Sequence, residues 1–245
     1  MLAASALLAL VSMSPTTQDA SPAAHETARR WKNVDAIELE VLDTAPTLAT
    51  PRAVSALDAA AASWNAIGAG PVIHIGRAPA GADENPIAND GKNRVGVYPG
   101  AWPWPKEVGA VTLVWPSADE DGNDDGGIAE VDLAINPSFD WSLDPDGKIG
   151  AYDVQNVLTH ELGHALGLPD VKDSREATMF FVVLPGETLK RDLSHEDEAM
   201  IVKLYDNIDL ADSGCSAAKG NGDVGAITTG LSVVLAALAA FRRKR

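Results

Sequence analysis

Residues 159–170 read Thr-His-Glu-Leu-Gly-His-Ala-Leu-Gly-Leu-Pro-Asp, and the rest of the chain can be read around them. His160 and His164 are four apart, so a helix puts them on one face, one turn from each other. Two imidazoles on one face can grip a tetrahedral metal from the same side. Glu161 follows the first of them and projects beside the metal, where a general base would act on bound water. Gly167 permits the sharp turn that ends the helix, and Asp170 then comes back as a candidate third ligand.

Working outward, the spacing predicts that helix over about 153–166, with Asp153 placed as an N-cap. Upstream, residues 36–42 alternate apolar and acidic, as in a half-exposed strand. Pro51 opens an Ala-rich amphipathic helix to about Ile67, with Val54, Leu57, Ala61 and Trp64 on one face. Strands are expected at 72–76, 94–98, 109–115 and 128–135, separated by Gly/Pro/Asp-rich loops. Downstream, Ser194 caps a helix whose first turn is acidic, and Met200, Ile201, Leu204 and Tyr205 form its apolar face. The fold class implied is α+β: five strands, two main helices and a C-terminal helix.

The ends differ from this body. Residues 2–11 are an apolar run followed by small residues, which predicts a signal peptide over 1–24, although its start lacks Lys or Arg. The folded domain is expected over 25–208. Residues 209–223 are a Gly/Ala/Ser-rich linker holding the single cysteine, Cys215. Residues 224–241 are an apolar run expected to be helical, closed by Arg242-Arg-Lys-Arg245. At 18 residues that helix would span roughly 27 Å, just short of a bilayer core of about 30 Å, and is marginal as a permanent anchor. The tail is similar to the three-part sorting tails of some bacterial exported proteins, with Gly214-Cys215-Ser216 as the processing or lipidation motif. It places the tail in membrane transiently or permanently, and the mature protein outside the cytoplasm or at the cell surface.

Net charge is −16 over 245 residues, and the last 35 carry a net +3, which leaves −19 on the remainder. So acidic a body repels nucleic acid and anionic membrane surfaces. One cysteine forms no internal disulfide, and the chain is expected to be a monomer. Two loops are candidate calcium sites. Asp119, Asp121, Asn123, Asp125 and Glu130 fall at calcium-loop positions, but Asp124 stands where such a loop requires Gly. Asp144, Asp146 and Asp153 offer a partial second set. The alternative for both is a solvated acidic turn.

His160, Glu161, His164, Gly167 and Asp170, with Met179 beyond them, resemble the metzincin zinc-peptidase pattern and its Met-turn. Tyr152 to Glu161 is similar to the active-site helix entry of matrixin-like peptidases, and 126–136 to their last strand. With Arg30-Trp31 and the 193–205 helix, the resemblance covers about residues 30–206. It implies a metzincin-like fold with a five-stranded mixed, twisted sheet. It implies Zn2+ on His160, His164 and Asp170, a water in the fourth position, and Glu161 as the base that activates it. Met179 would lie under the metal, Phe180 and Phe181 would wall the specificity pocket, and strand 109–115 would be the exposed edge that pairs with substrate. The activity implied is hydrolysis of protein or peptide substrates.

The chain departs from the family where the third ligand is Asp, as in the snapalysin-like branch, and where Met179-Phe-Phe replaces Met-Tyr-Pro. Cys215 lies at the wrong end for a cysteine switch. Two alternatives stay open: an inactive metzincin-like module that binds protein, and a calcium-dependent surface or adhesion domain.

Overall fold

The computed structural model describes residues 29–42 and 50–206, together with the backbone of 231–236. The expected signal peptide, the linker with Cys215 and the basic C-terminus lie outside the described residues.

Five strands carry the fold, each close to its expected place: β2 (Ala36–Val41), β3 (Val72–Arg77), β4 (Asn93–Val97), β5 (Val108–Ala118) and β6 (Asp124–Ile135). They are laid out in the order β3-β2-β4-β6-β5, with parallel pairs throughout except β5 against β6. The sheet is larger than the five strands expected. Among the described residues it has eight, because β1 (Arg30–Trp31) adds to β6, and β10 (Leu231–Ala236) and β9 (Val182–Val183) add beyond β5. Pieces two residues long have no periodicity to read, and only an available sheet edge makes them strands. A separate two-stranded ladder joins β7 (Trp141–Ser142) to β8 (Tyr152–Asp153).

Helix α1 (Pro51–Asn65) starts as its sequence requires: Thr50 Oγ1 accepts the Ala53 amide at 3.1 Å and Pro51 occupies the first turn. Its apolar face buries Ala53, Leu57, Ala60, Ala61 and Trp64. Helix α2 (Val154–Ala165) is buried almost all round, and α3 (His195–Asp206) closes the described body. Asp153 settles as the α2 N-cap, accepting the Asn156 amide at 2.8 Å and pairing with Arg191 at 2.6 Å. The other end of α2 is capped from afar. Trp31 Nε1 donates to the Ala165 carbonyl at 2.9 Å, and the Tyr205 hydroxyl donates to Leu166 at 2.9 Å.

Two corrections concern the end of the chain. Residues 231–236, inside the run expected to be helical, are an extended strand. Val233 and Val234 are β-branched and favour that state once a sheet edge is at hand. By the same token β5 is not the free edge expected, because β10 pairs along it. Among the described residues no helix is long and apolar enough to cross a membrane.

Candidate metal centre

The centre is assembled on α2, which lies under β5 and against α1. His160, Glu161 and His164 are all buried. The helix can sit this deep because position 163 is glycine. A Cβ there would stand 2.2 Å from Met179 Sδ and 2.8 Å from the Trp64 ring, so any side chain would push away both supports. Trp64 completes the contact by donating its indole N–H to the Thr159 carbonyl at 2.8 Å.

Gly167 then turns the chain. Its φ is +97°, and a Cβ would lie 1.8 Å from the Arg29 carbonyl oxygen. Only glycine fits that conformation and that approach. The turn brings the Leu168 carbonyl to His164 Nδ1 at 2.8 Å and returns Asp170 to the imidazoles.

The hydrogen bonds determine the imidazole tautomers. His160 Nδ1 meets the Thr178 carbonyl at 2.7 Å, and His164 Nδ1 meets Leu168 as above. A carbonyl only accepts, so each Nδ1 carries the hydrogen, and each neutral ring turns an Nε2 lone pair inward. Those two Nε2 atoms are 3.0 Å apart, and Asp170 Oδ1 lies 3.3 and 3.5 Å from them. Two lone pairs and a carboxylate at that range call for a cation between them. Tetrahedral ligands at about 2.0–2.1 Å from zinc would stand about 3.3 Å apart, so the spacing fits. Among the described residues, His160, His164 and Asp170 are the one group of His, Cys, Asp or Glu side chains that converges in this way.

Electrostatics follow the same geometry. Burial works to raise the Asp170 carboxyl, but the two imidazoles beside it hold it well below the usual carboxylate range. Burial lowers His160. It works against His164 too, yet the Asp170 carboxylate outweighs it and pushes that ring up to about 8.

Glu161 turns the other way, toward β5. Its Oε2 accepts the Thr112 hydroxyl at 2.5 Å, while Oε1 is buried with no protein partner. Burial pushes its carboxyl up to about 7.

Other side chains hold the loop after Asp170, and periodicity gave no sign of them. Asp197, expected only as a first-turn acid of α3, points inward and accepts the amides of Thr178 at 2.7 Å and Met179 at 3.0 Å. Lys190 is buried and donates to the carbonyls of Ala177, Thr178 and Phe180 at 3.3, 3.1 and 2.7 Å. The Thr178 carbonyl therefore serves both Lys190 and His160. Met179 is fully buried under α2, and Phe180 and Phe181 follow it half-buried, edge to face with ring centroids 4.9 Å apart.

The calcium candidates do not converge. Asp119 accepts the amides of Asp121 and Asn123, Asp125 accepts Ser117 and Gly127, and Asp121 is exposed, all in the tip of the β5–β6 hairpin. Glu130 is buried elsewhere, accepting the amides of Asp90 at 3.2 Å and Gly91 at 2.5 Å. Calcium-loop spacing assumes a loop, whereas Glu130 stands within β6 with its side chain committed to another segment.

Comparison with known proteins gives a likeness over part of the chain. The family model for Matrixin matches residues 113–206. The Arabidopsis thaliana protein "Metalloendoproteinase 1-MMP" is 37% identical over 76 residues, 30% of this chain and 20% of that one. The chain thus spans about a fifth of the length of the curated relative it matches. Together these likenesses support a matrixin-like metallopeptidase.

Proposed function

We propose that the chain is a zinc-dependent endopeptidase of metzincin type, with His160, His164 and Asp170 as the metal ligands and Glu161 as the general base. The observation that carries the reading is the inward convergence of three buried ligand atoms 3.0–3.5 Å apart, with a fourth polar atom, Glu161 Oε1, left unpartnered nearby. A bound Zn2+ would supply Lewis acidity, lowering the pKa of water toward about 7 and polarising a carbonyl.

The residues present do the rest. Thr112 holds one Glu161 oxygen and leaves Oε1 to take a proton from the attacking water. Glu161 can then return that proton to the leaving amine. The Thr178 and Leu168 carbonyls hold the imidazoles in the ligating tautomer, and Lys190 and Asp197 hold the loop that carries Thr178. Met179 acts as the hydrophobic floor, and Phe180 and Phe181 as walls of the substrate pocket. A module that only binds protein has no use for a buried carboxylate poised in this way.

We place the protein outside the cytoplasm or on the cell surface, on the strength of the apolar run at 2–11 and the tail that ends in four basic residues.

The test is zinc stoichiometry together with cleavage of casein, using the chain with its tail intact and after proteolytic removal of the residues beyond 210. One zinc per chain and cleavage lost in Glu161→Gln are expected. Stoichiometric zinc with no cleavage by either form would sink the enzyme reading.

A further inference from the structure

The strand β10 joins the sheet beside the metal centre. It runs antiparallel to β5, with Leu231 opposite Leu113, Ser232 opposite Thr112, Val233 opposite Val111 and Val234 opposite Ala110. The register then shifts between Val234 and Leu235. From there the chain also pairs in parallel with β9, Leu235 opposite Val182 and Ala236 opposite Val183. The segment therefore pairs with β5 along Leu231–Leu235 and with β9 at Leu235 and Ala236, and its backbone runs close to α2.

Each flank belongs to the centre. On the β5 side, the residue opposite Ser232 is Thr112, whose hydroxyl holds Glu161. On the β9 side, Val182 follows directly on Phe181, at the end of the loop that carries Met179. An extended peptide recognised through its backbone would need these same N–H and C=O groups. Six residues of this chain already use them.

We propose that Leu231–Ala236 is an intramolecular occupant of the substrate groove, one that keeps the site closed until it is displaced. In its consequence for catalysis this rests on the peptidase reading above; in its geometry it does not. The stretch Leu-Ser-Val-Val-Leu-Ala suits the role, since it is uncharged and holds two β-branched residues with no Pro or Gly to weaken the pairing. The same stretch lies within the apolar run that could enter a bilayer, and one strand cannot occupy both places. Capture by a membrane or removal of the tail would therefore open the groove.

The experiment uses the full chain with zinc and the variant Val233→Pro/Val234→Pro. Consecutive prolines remove a donor from each side of the strand. Amide hydrogen exchange of residues 110–113 reads occupancy without any substrate, and casein cleavage reads the consequence. In the variant, exchange should rise at least tenfold, cleavage should rise about tenfold and KM should fall. A Lys-flanked synthetic peptide of residues 231–236 should reverse these effects when added back, which shows that the variant body is folded. Unchanged exchange in the variant overturns the proposal, and so does faster exchange with wild-type cleavage already at the variant's rate. Faster exchange with no cleavage by either protein leaves the occupancy standing and removes the peptidase reading. Equal cleavage with unchanged exchange does the reverse.

Discussion

The His160–His164–Asp170 centre and the tip of the β5–β6 hairpin both concentrate ligand-type side chains, but their atoms are satisfied in opposite ways. At the hairpin tip, Asp119, Asp124 and Asp125 accept from amides, a hydroxyl and Arg29, and they lie at or near the surface. At the centre, the acceptor atoms face one another inside the protein, and Asp170 Oδ1 and Glu161 Oε1 have no hydrogen-bond donor. Burying an acceptor without a donor costs about 1–3 kcal/mol, so such atoms persist where something else is to fill the space. Acid count thus says little about metal binding. Convergence of unsatisfied atoms says much more.

The largest test of this contrast is Glu161→Gln. It should keep zinc bound while casein cleavage falls by about 10³-fold or more, some 4 kcal/mol of transition-state stabilisation. Zinc titration and cleavage assays on one preparation separate the two effects. Equal loss of both would mean that Glu161 supports the site rather than acting as its base.

Asp132 sharpens the comparison because it is buried yet accepts three N–H groups, from Ala88 at 3.0 Å, Trp115 at 3.1 Å and Arg94 at 3.3 Å. Burial pushes its carboxyl up to about 7 despite them. An acid raised on folding lends stability that is full below about pH 4 and lost as pH rises through about 7. The stability of Asp132→Asn relative to wild type should therefore increase from pH 4.5 to pH 8, by up to about 3 kcal/mol. Denaturant melts at the two pH values measure it, and a difference that stays flat with pH would mean the three donors keep Asp132 ionised.

Asp170→Asn should weaken zinc binding by about 10–100-fold, or 1.4–2.7 kcal/mol, since an amide oxygen replaces a carboxylate in the ligand set. Competition with a chromogenic chelator reads this directly. Wild-type affinity would mean that another group supplies the third ligand.

The smallest effect belongs to the hairpin tip. Asp119→Ala should leave stability almost unchanged, and added Ca2+ should leave the melting temperatures of wild type and variant unchanged. A calcium-dependent rise confined to wild type would restore the loop as a cation site.

Much of the centre was legible in the chain because its logic is local. The four-residue interval between His160 and His164 puts both on one face of any helix, and Asp153 and Gly167 bound that helix by caps that depend only on neighbours. The five main strands were legible for the same reason, since alternation needs no partner to be read. Thr112, Lys190 and Asp197 were not. Each acts on a segment ten or more residues away, and nothing in its own surroundings distinguishes it from a strand threonine or a surface charge. The tail shows the limit most clearly: an 18-residue apolar run reads as a helix, and a sheet edge elsewhere in the fold makes six of its residues a strand.

The sequence by itself determined the ligand spacing, the base beside it, the glycines that let α2 pack and turn, and the acidic body. Only the tertiary structure decided which carbonyls set the imidazole tautomers, which acids converge and which are spent on backbone amides, and what lies along β5. Periodicity and capping act within a turn or two of chain. Hydrogen-bond satisfaction and edge pairing depend on which distant segments meet.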